Sequence, residues 1–217
     1  MRLTRLALGP LAANCYVLCC EDSDRALVID PGADEPALRE ALTGLRVPKA
    51  VVTHGHWDHV SGVPYLQREF GTELVCHHAE RECLKRWAAE RGLAVKLGDF
   101  VGEGDLIEVG SVRLKVLHLP GHSPGPLVLM EDARRWLFTG DLLVKGGTGG
   151  ANVAGGDPEA FVASINRLRT LDGDWTVYPG HHGQTSMAEE RAHNPYVRFR
   201  VKQAKAVDPG APDPGAP

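Results

Sequence analysis

No run of apolar residues in this 217-residue chain approaches the roughly 20 that a helix needs to cross a bilayer. Basic residues are neither in excess nor clustered: 24 lysines and arginines stand against 28 aspartates and glutamates, a formal net charge of -4, and no basic stretch carries interleaved aromatics. A membrane span and a nucleic-acid partner are therefore set aside. Cysteine is sparse as well. Five of them, an odd count without framework spacing, argue against a disulfide scaffold and for a reducing compartment. Cys15, Cys19 and Cys20 lie on an apolar strand pattern and Cys76 ends another, so they read as small buried hydrophobes. Cys19 and Cys20 would face opposite sides of a strand, which argues against a paired metal or redox site.

The amino terminus has a superficial likeness to a signal peptide, with Met1 to Arg5 followed by Leu6 to Leu11. Gly9 and Pro10 interrupt that stretch, and Asn14 precedes Cys15 where a lipoprotein cleavage site wants a small residue. A strand, a turn and a second strand explain the segment better, and the protein is expected to be soluble and cytoplasmic.

With 43% hydrophobic residues the chain is long enough for one sizeable core and short for two domains, so a single domain is expected over residues 1–207. The last ten residues differ: Asp208-Pro209-Gly210-Ala211-Pro212 repeats as Asp213-Pro214-Gly215-Ala216-Pro217. Nothing apolar in them is larger than alanine and proline, so the tail 208–217 is expected to be disordered. Strands are predicted at Leu3 to Leu8, Cys15 to Cys20, Ala26 to Ile29, Ala50 to Thr53, Glu73 to Cys76, Leu106 to Val109, Val112 to Leu119, Leu127 to Glu131, Trp136 to Thr139 and Thr176 to Tyr178. Helices are predicted at Glu35 to Thr43, Asp58 to Phe70, Ala79 to Arg91, Pro158 to Leu171 and Met187 to Val207, with Pro195 as a break point in the last. Two mixed β-sheets with helices on their outer faces follow, a four-layer αβ/βα sandwich of the α/β class.

What the sequence does hold is a set of polar residues placed just past apolar runs. Val51 and Val52 lead into Thr53-His54-Gly55-His56-Trp57-Asp58-His59. Val116, Leu117 and Leu119 lead into His122, Trp136 to Phe138 into Asp141, and Trp175, Val177 and Tyr178 into His181. Strand ends that open onto loops on one edge of a sandwich can converge on an ion. Any one of these histidines alone would read as a solvated or capping residue. Five histidines and two aspartates in one shared context read as a ligand set. His54 and His56 point the same way on an extended loop, while Asp58 and His59 fall at a helix start and can turn toward a neighbouring site. The expected sites are His54, His56 and His122 for one ion, and Asp58, His59 and His181 for a second. Asp141 is expected to bridge them, because a carboxylate has two oxygens whereas one imidazole nitrogen cannot serve two ions.

These blocks, together with Leu119-Pro120-Gly121-His122-Ser123-Pro124-Gly125, Thr139-Gly140-Asp141 and Tyr178-Pro179-Gly180-His181, resemble the metallo-β-lactamase superfamily, in its short glyoxalase II-like (hydroxyacylglutathione hydrolase-like) branch. Asn14-Cys15-Tyr16, Ile29-Asp30-Pro31-Gly32 and Glu190-Arg191-Ala192-His193-Asn194-Pro195 extend the resemblance over roughly residues 3 to 200. The nuclease members of the superfamily carry a large inserted domain for which this chain has no room.

The resemblance implies a metallo-β-lactamase fold and a dinuclear hydrolase of small thioesters or esters. A metal-bridging hydroxide would attack the carbonyl, Asp58 and Asp141 would belong to the catalytic centre, and zinc is the expected metal, with iron or manganese as alternatives. The family pattern also favours His181 over the adjacent His182, since His181 directly follows Gly180. His77, His78, His118 and His193 are left without a role. Asp30 is either a turn-forming aspartate or a hydrogen-bond acceptor that fixes the tautomer of a ligand histidine. Lys145 is either a solvated lysine or a contact for the substrate's carboxylate or carbonyl. The loop Gly146 to Asn152 lacks the arginine and aspartate that short members commonly carry there, and Pro126 stands where many relatives have histidine or cysteine. The groups that hold glutathione in longer enzymes are missing. A rival activity from the same superfamily is a mononuclear iron persulfide dioxygenase using His54, His122 and Asp141, with a lactonase or β-lactamase as a weaker alternative.

Overall fold

A strand buried on both faces carries apolar residues in continuous run rather than in alternation. The first hairpin shows the contrast: β1 (Arg2–Leu8) is partly exposed along its length, whereas all seven residues of β2 (Ala13–Cys19) are buried. The two pair antiparallel from Arg2 opposite Cys19 to Leu8 opposite Ala13, which makes β1 the edge. A computed structural model describes residues 1–199. The expected disordered tail, 208–217, lies outside the described residues.

β3 (Arg25–Ile29), β4 (Arg46–Val51), β5 (Glu73–Cys76) and β6 (Leu97–Phe100) complete the first sheet in sequence order. β2 and β3 are antiparallel, and β3 through β6 run parallel. The crossovers between the parallel strands carry α1 (Pro36–Ala41), the short α2 (Trp57–Val60) with α3 (Val63–Phe70), and α4 (Arg81–Glu90). The second sheet holds β7 (Leu106–Val109), β8 (Val112–His118), β9 (Leu127–Glu131), β10 (Trp136–Gly140), β11 (Thr176–Pro179) and β12 (Thr185–Ser186), in the reverse spatial order β12 to β7. All its pairs are antiparallel except β10 with β11, whose crossover contains α5 (Pro158–Arg169). α6 (Met187–His193) follows β12.

Alternate residues divide the packing. Tyr16, Leu18, Leu27, Ile29 and Val51 face Leu114, Val116, Leu129, Phe138 and Tyr178 between the sheets. Their neighbours Val17, Val28 and Ala50 pack outward on Leu38, Leu42 and Leu66 of α1 and α3, and Val128, Leu137 and Val177 pack outward on Phe161, Ile165 and Leu168 of α5. The result is the expected four-layer sandwich of two mixed sheets.

The elements differ from the sequence expectation in four places. The helix expected from Asp58 to Phe70 is broken at Gly62, whose N–H turns to Pro31 O at 2.7 Å and whose backbone leaves no room for a Cβ against that same oxygen. β6 lacks alternation and contains Gly98, and β12 has two residues, so neither shows in the sequence. The last helix ends at His193, at the expected break before Pro195, because Asn194 takes extended geometry, φ −72° and ψ 120°; residues 195–199 do not resume it, and the expected stretch 200–207 lies outside the described residues. The expected start at Asp157-Pro158 is present: the Asp157 carboxylate accepts from the Glu159 and Ala160 N–H groups. Among the described residues no helix is long and apolar enough to cross a membrane.

Candidate metal centre

The loops that leave β4, β8, β10 and β11 open at one edge of the sandwich, and they bring all seven singled-out residues together. His54, His56 and His122 form one group of donors, Asp58, His59 and His181 a second, and His54, His59 and Asp141 a third that lies between them; within each group the donor atoms lie within 4.8 Å of one another. His56 Nδ1 is 3.0 Å from His122 Nε2, and His181 Nε2 is 3.1 Å from Asp58 Oδ2. Two donors each bound at 2.0 to 2.1 Å to a tetrahedral ion lie about 3.3 Å apart, so these spacings suit a shared cation. Asp141 faces both groups. Its Oδ2 lies 3.8 Å from His122 Nε2 and 3.6 Å from His181 Nε2, and its Oδ1 lies 3.5 Å from His59 Nε2.

The donor set passes a stricter test in its hydrogen bonding. His54 Nε2, His59 Nε2 and Asp141 Oδ1 are buried and make no hydrogen bond. Orphaned buried polar atoms are costly and rare, and these three share one centre. The opposite ring nitrogens are occupied. Thr53 Oγ1 donates to Asp30 Oδ2 at 2.7 Å, so toward His54 Nδ1 at 3.1 Å it can only accept. The proton therefore sits on His54 Nδ1, and Nε2 presents its lone pair inward. Asp30 Oδ2 also lies 3.1 Å from His59 Nδ1, and His122 Nδ1 points at Gly150 O at 2.9 Å. Asp30 Oδ1 further accepts the Thr53 N–H at 2.7 Å. Asp30 takes a left-handed φ of +50°, a strained conformation for a residue with a side chain, at the turn that aims its carboxylate under both histidines. These residues fit a pair of divalent cations.

Charge divides the two groups. Burial and the neighbouring His59, His56 and His122 push His54 well below the ordinary imidazole range, and burial, opposed by Asp141, lowers His122. In His59 burial acts downward, but Asp141 and Asp30 override it and hold the ring well above its ordinary value. His181 is raised in the same way, with Asp58 and Asp141 overriding burial. Burial would raise the carboxyl groups of Asp141 and Asp58, but His59 beside Asp141 and the His181 hydrogen bond to Asp58 hold both down, Asp141 well below the carboxylate range. His54 and His122 thus favour the neutral form that a metal needs, and His59 and His181 favour the protonated form, whose protons an incoming ion would replace.

Local sequence explains the convergence. Gly180 precedes His181 because a Cβ there would lie 2.1 Å from Asp141 Oδ1. Asn14, fully buried, donates from Nδ2 to Pro179 O at 2.8 Å and His182 O at 2.9 Å, and the Tyr16 hydroxyl donates to Pro179 O at 2.6 Å. The first hairpin thereby sets the loop of the last histidine. His182 is exposed, with φ +65°, and its ring belongs to none of the three donor groups. Lys145 is exposed beside that loop, its Cδ 3.9 Å from where a Gly183 Cβ would stand. His77 and His118 stack on each other at 3.8 Å, outside the donor groups.

Sequence reasoning missed three supports. Thr53 was visible only as part of a motif, Asn14 only as part of a resemblance, and Glu80 carried no signal at all. Glu190 is also buried and holds the glycine-rich loop by accepting the Gly146 N–H, with Thr185 Oγ1 donating to it at 2.7 Å.

Comparison with known proteins agrees with this geometry. The chain is 38% identical over 203 residues to a protein of Aquifex aeolicus, covering 88% of this chain and 95% of that one. It is 30% identical over 212 residues to the hydroxyacylglutathione hydrolase GloC of Haemophilus influenzae, covering 92% of this chain and 100% of GloC. Among solved structures it superposes on the BLEG-1 B3 metallo-beta-lactamase with a TM-score of 0.82 at 30% identity, over 91% of this chain and 100% of that one. TTHA1623 in a di-iron-bound form gives 0.75 at 33% identity, over 89% of this chain and 99% of that one. ETHE1 from Myxococcus xanthus gives 0.75 at 27% identity, over 90% of this chain and 84% of that one. The sequence pattern of the metallo-beta-lactamase superfamily matches residues 8–181, a span that runs from the first hairpin to His181, and the chain belongs to that superfamily.

Proposed function

We propose that the protein is a dinuclear metal-dependent hydrolase of small thioesters, with His54, His56 and His122 on one ion, Asp58, His59 and His181 on the other, and Asp141 between them. The observation that carries this reading is the set of three buried donors without hydrogen bonds, His54 Nε2, His59 Nε2 and Asp141 Oδ1, aimed at one centre. Two divalent ions held by these residues would supply an activated water at neutral pH and polarise a carbonyl. The chain's own residues do the rest. Thr53 and Asp30 fix the His54 and His59 tautomers, Asp141 offsets charge shared by both ions, and Asp58 and His181 hold each other in place. Lys145, exposed beside the loop of His181, would meet the substrate's carboxylate or carbonyl. Hydrolysis breaks the C–S bond and forms C–O, and the products are a carboxylic acid and a thiol. The 30% identity with GloC over nearly the whole chain supports a thioester as substrate.

A persulfide dioxygenase with a single iron on His54, His122 and Asp141 would use part of the same centre. It would leave Asp58, His59 and His181, whose donors converge as closely, without an ion. Because TTHA1623, at 33% identity, has a di-iron form, finding iron does not by itself separate the readings; the number of ions and the reaction do. Metal content should be measured on protein purified without added metal and after loading with zinc, alongside lactoylglutathione hydrolysis, nitrocefin hydrolysis and oxygen uptake with glutathione persulfide. Two ions per chain with thioester hydrolysis are expected. One iron with oxygen uptake and no hydrolysis would replace this reading with the dioxygenase, and nitrocefin turnover above thioester turnover would replace it with a β-lactamase, the activity in the name of BLEG-1.

A further inference from the structure

Glu80 is fully buried, at the end of a short 3-10 turn (His78–Glu80) that leads into α4. Its Oε2 accepts the Gly55 N–H at 2.8 Å, from the residue between His54 and His56. Its Oε1 accepts the Ser123 hydroxyl at 2.5 Å and the Gly125 N–H at 2.6 Å, on the loop that carries His122. One carboxyl group therefore ties together the two loops that supply His54, His56 and His122, and it bonds to nothing on the loops of Asp141 or His181. The glycines on both loops belong to this contact. A Cβ on Gly55 would stand 2.7 Å from Glu80 Oε2, and one on Gly125 would stand 3.0 Å from Glu80 Cγ. Asp30 has the corresponding place beneath His59 and, through Thr53, beneath His54.

We propose that Glu80 is a positioning residue that sets the spacing of the His54, His56 and His122 donors, so that its loss weakens one ion of the pair and spares the other. This rests on the dinuclear reading above. All three groups facing the Glu80 oxygens are donors. An amide in place of the carboxyl would direct an NH2 at one of them and force the loops apart, while the volume stays the same. Removing a group that orients metal ligands typically costs about 10 to 100-fold in metal affinity or activity. The selectivity follows from connectivity: His59 is held by Asp30, His181 by the Asn14 and Tyr16 contacts to its loop, and Asp58 by His181.

Metal-free wild type, Glu80→Gln and Ser123→Ala would be titrated with zinc against a chromophoric chelator, and with cobalt, whose visible spectrum differs between a site with three histidines and one in which Asp58 replaces a histidine. Thermal melting in chelator would check the folded state. In Glu80→Gln one ion should weaken by about 10 to 100-fold while the other keeps its affinity, with the cobalt band of the three-histidine site lost. Ser123→Ala removes one of three bonds, keeps the carboxyl group, and should weaken the same ion by less. Unchanged affinities for both ions would overturn the proposal. So would equal weakening of both with a lowered melting point, which is the behaviour of general structural support. If Glu80→Gln does not fold, Ser123→Ala decides by the same criterion. A wild type that binds one ion would end the dinuclear reading; the role of Glu80 would then stand if both variants weaken that ion and fall if neither does.

Discussion

Asp30 Oδ2 lies 3.1 Å from His59 Nδ1 and also accepts the Thr53 hydroxyl at 2.7 Å, so a single carboxylate oxygen, outside all three donor groups, fixes the protons of two imidazoles. Asp30→Asn would keep the shape and replace one oxygen by an NH2. A ring nitrogen that had donated would lose its acceptor, and the His59 and His54 tautomers would no longer be set. Metal affinity or turnover should fall about 10 to 100-fold. Isothermal titration with zinc, run beside steady-state kinetics, checks this, and wild-type affinity with wild-type turnover would return Asp30 to the role of a turn residue.

Asp141→Asn should be more severe. The side chain is 11% exposed, and its oxygens lie 3.5 to 3.8 Å from His59, His122 and His181. An amide removes charge that offsets both cations, so metal content and turnover should fall together. Elemental analysis of the purified variant decides the matter. A full complement of ions in Asp141→Asn would count against the bridging role.

Acid should remove the two ions unequally. His59 and His181 are raised above the ordinary imidazole value, so the metal-free protein holds protons there to higher pH than at His54 and His122, and an ion at that group must displace them. His54 and His122 are lowered and already neutral, so the ion there displaces few. The affinity of the His59 group should therefore decline steeply as pH falls, and that of the His54 group less so. The metal-free fold shows the opposite sign for the raised pair. Their contribution to its stability is complete below the ordinary imidazole pKa of about 6.5 and is lost as pH rises through their folded values. Titration calorimetry in two buffers of different ionisation enthalpy reads the protons released at each step. Equal release from both steps would refute the assignment of charge.

Lys145→Ala should raise KM more than it lowers kcat if the lysine contributes only uniform binding of the substrate. Its Cδ lies 3.9 Å from where a Gly183 Cβ would stand, on the loop that carries His181, and the lysine belongs to none of the donor groups. Activity on lactoylglutathione should be comparable to that on other small thioesters, because the glycine-rich loop Gly146 to Asn152 offers few side chains to grip one particular thiol arm. Kinetics with both substrate types test this, and unchanged constants in Lys145→Ala would leave the substrate pocket unassigned.

The layers and the convergence of the seven residues were legible because both rest on local pattern: apolar runs with period two, and ligand types placed at strand ends. The break at Gly62 was not, since it depends on Pro31 O, a partner thirty-one residues upstream that accepts its N–H. Glu80 shows the same limit more sharply. A glutamate at a helix start reads as a capping or solvated acid, and only the folding of β4, β8 and α4 against one another brings the Gly55, Ser123 and Gly125 donors to it. Asn14 could be read as part of a hairpin, whereas its bonds to Pro179 O and His182 O span 165 and 168 residues.

That last connection has a consequence for assembly in time. The amide of Asn14 leaves the ribosome 165 and 168 residues ahead of its partners on the His181 loop. Non-local pairings of this kind are slow to close, because a long loop must be ordered before any contact rewards it. An ion held by Asp58, His59 and His181 would be captured only after these two distant segments have met. Cation occupancy at that group would then serve as a clock hand for folding: a nascent or truncated chain lacking the Pro179–His182 segment could display the whole first sheet and still be unable to retain the second ion.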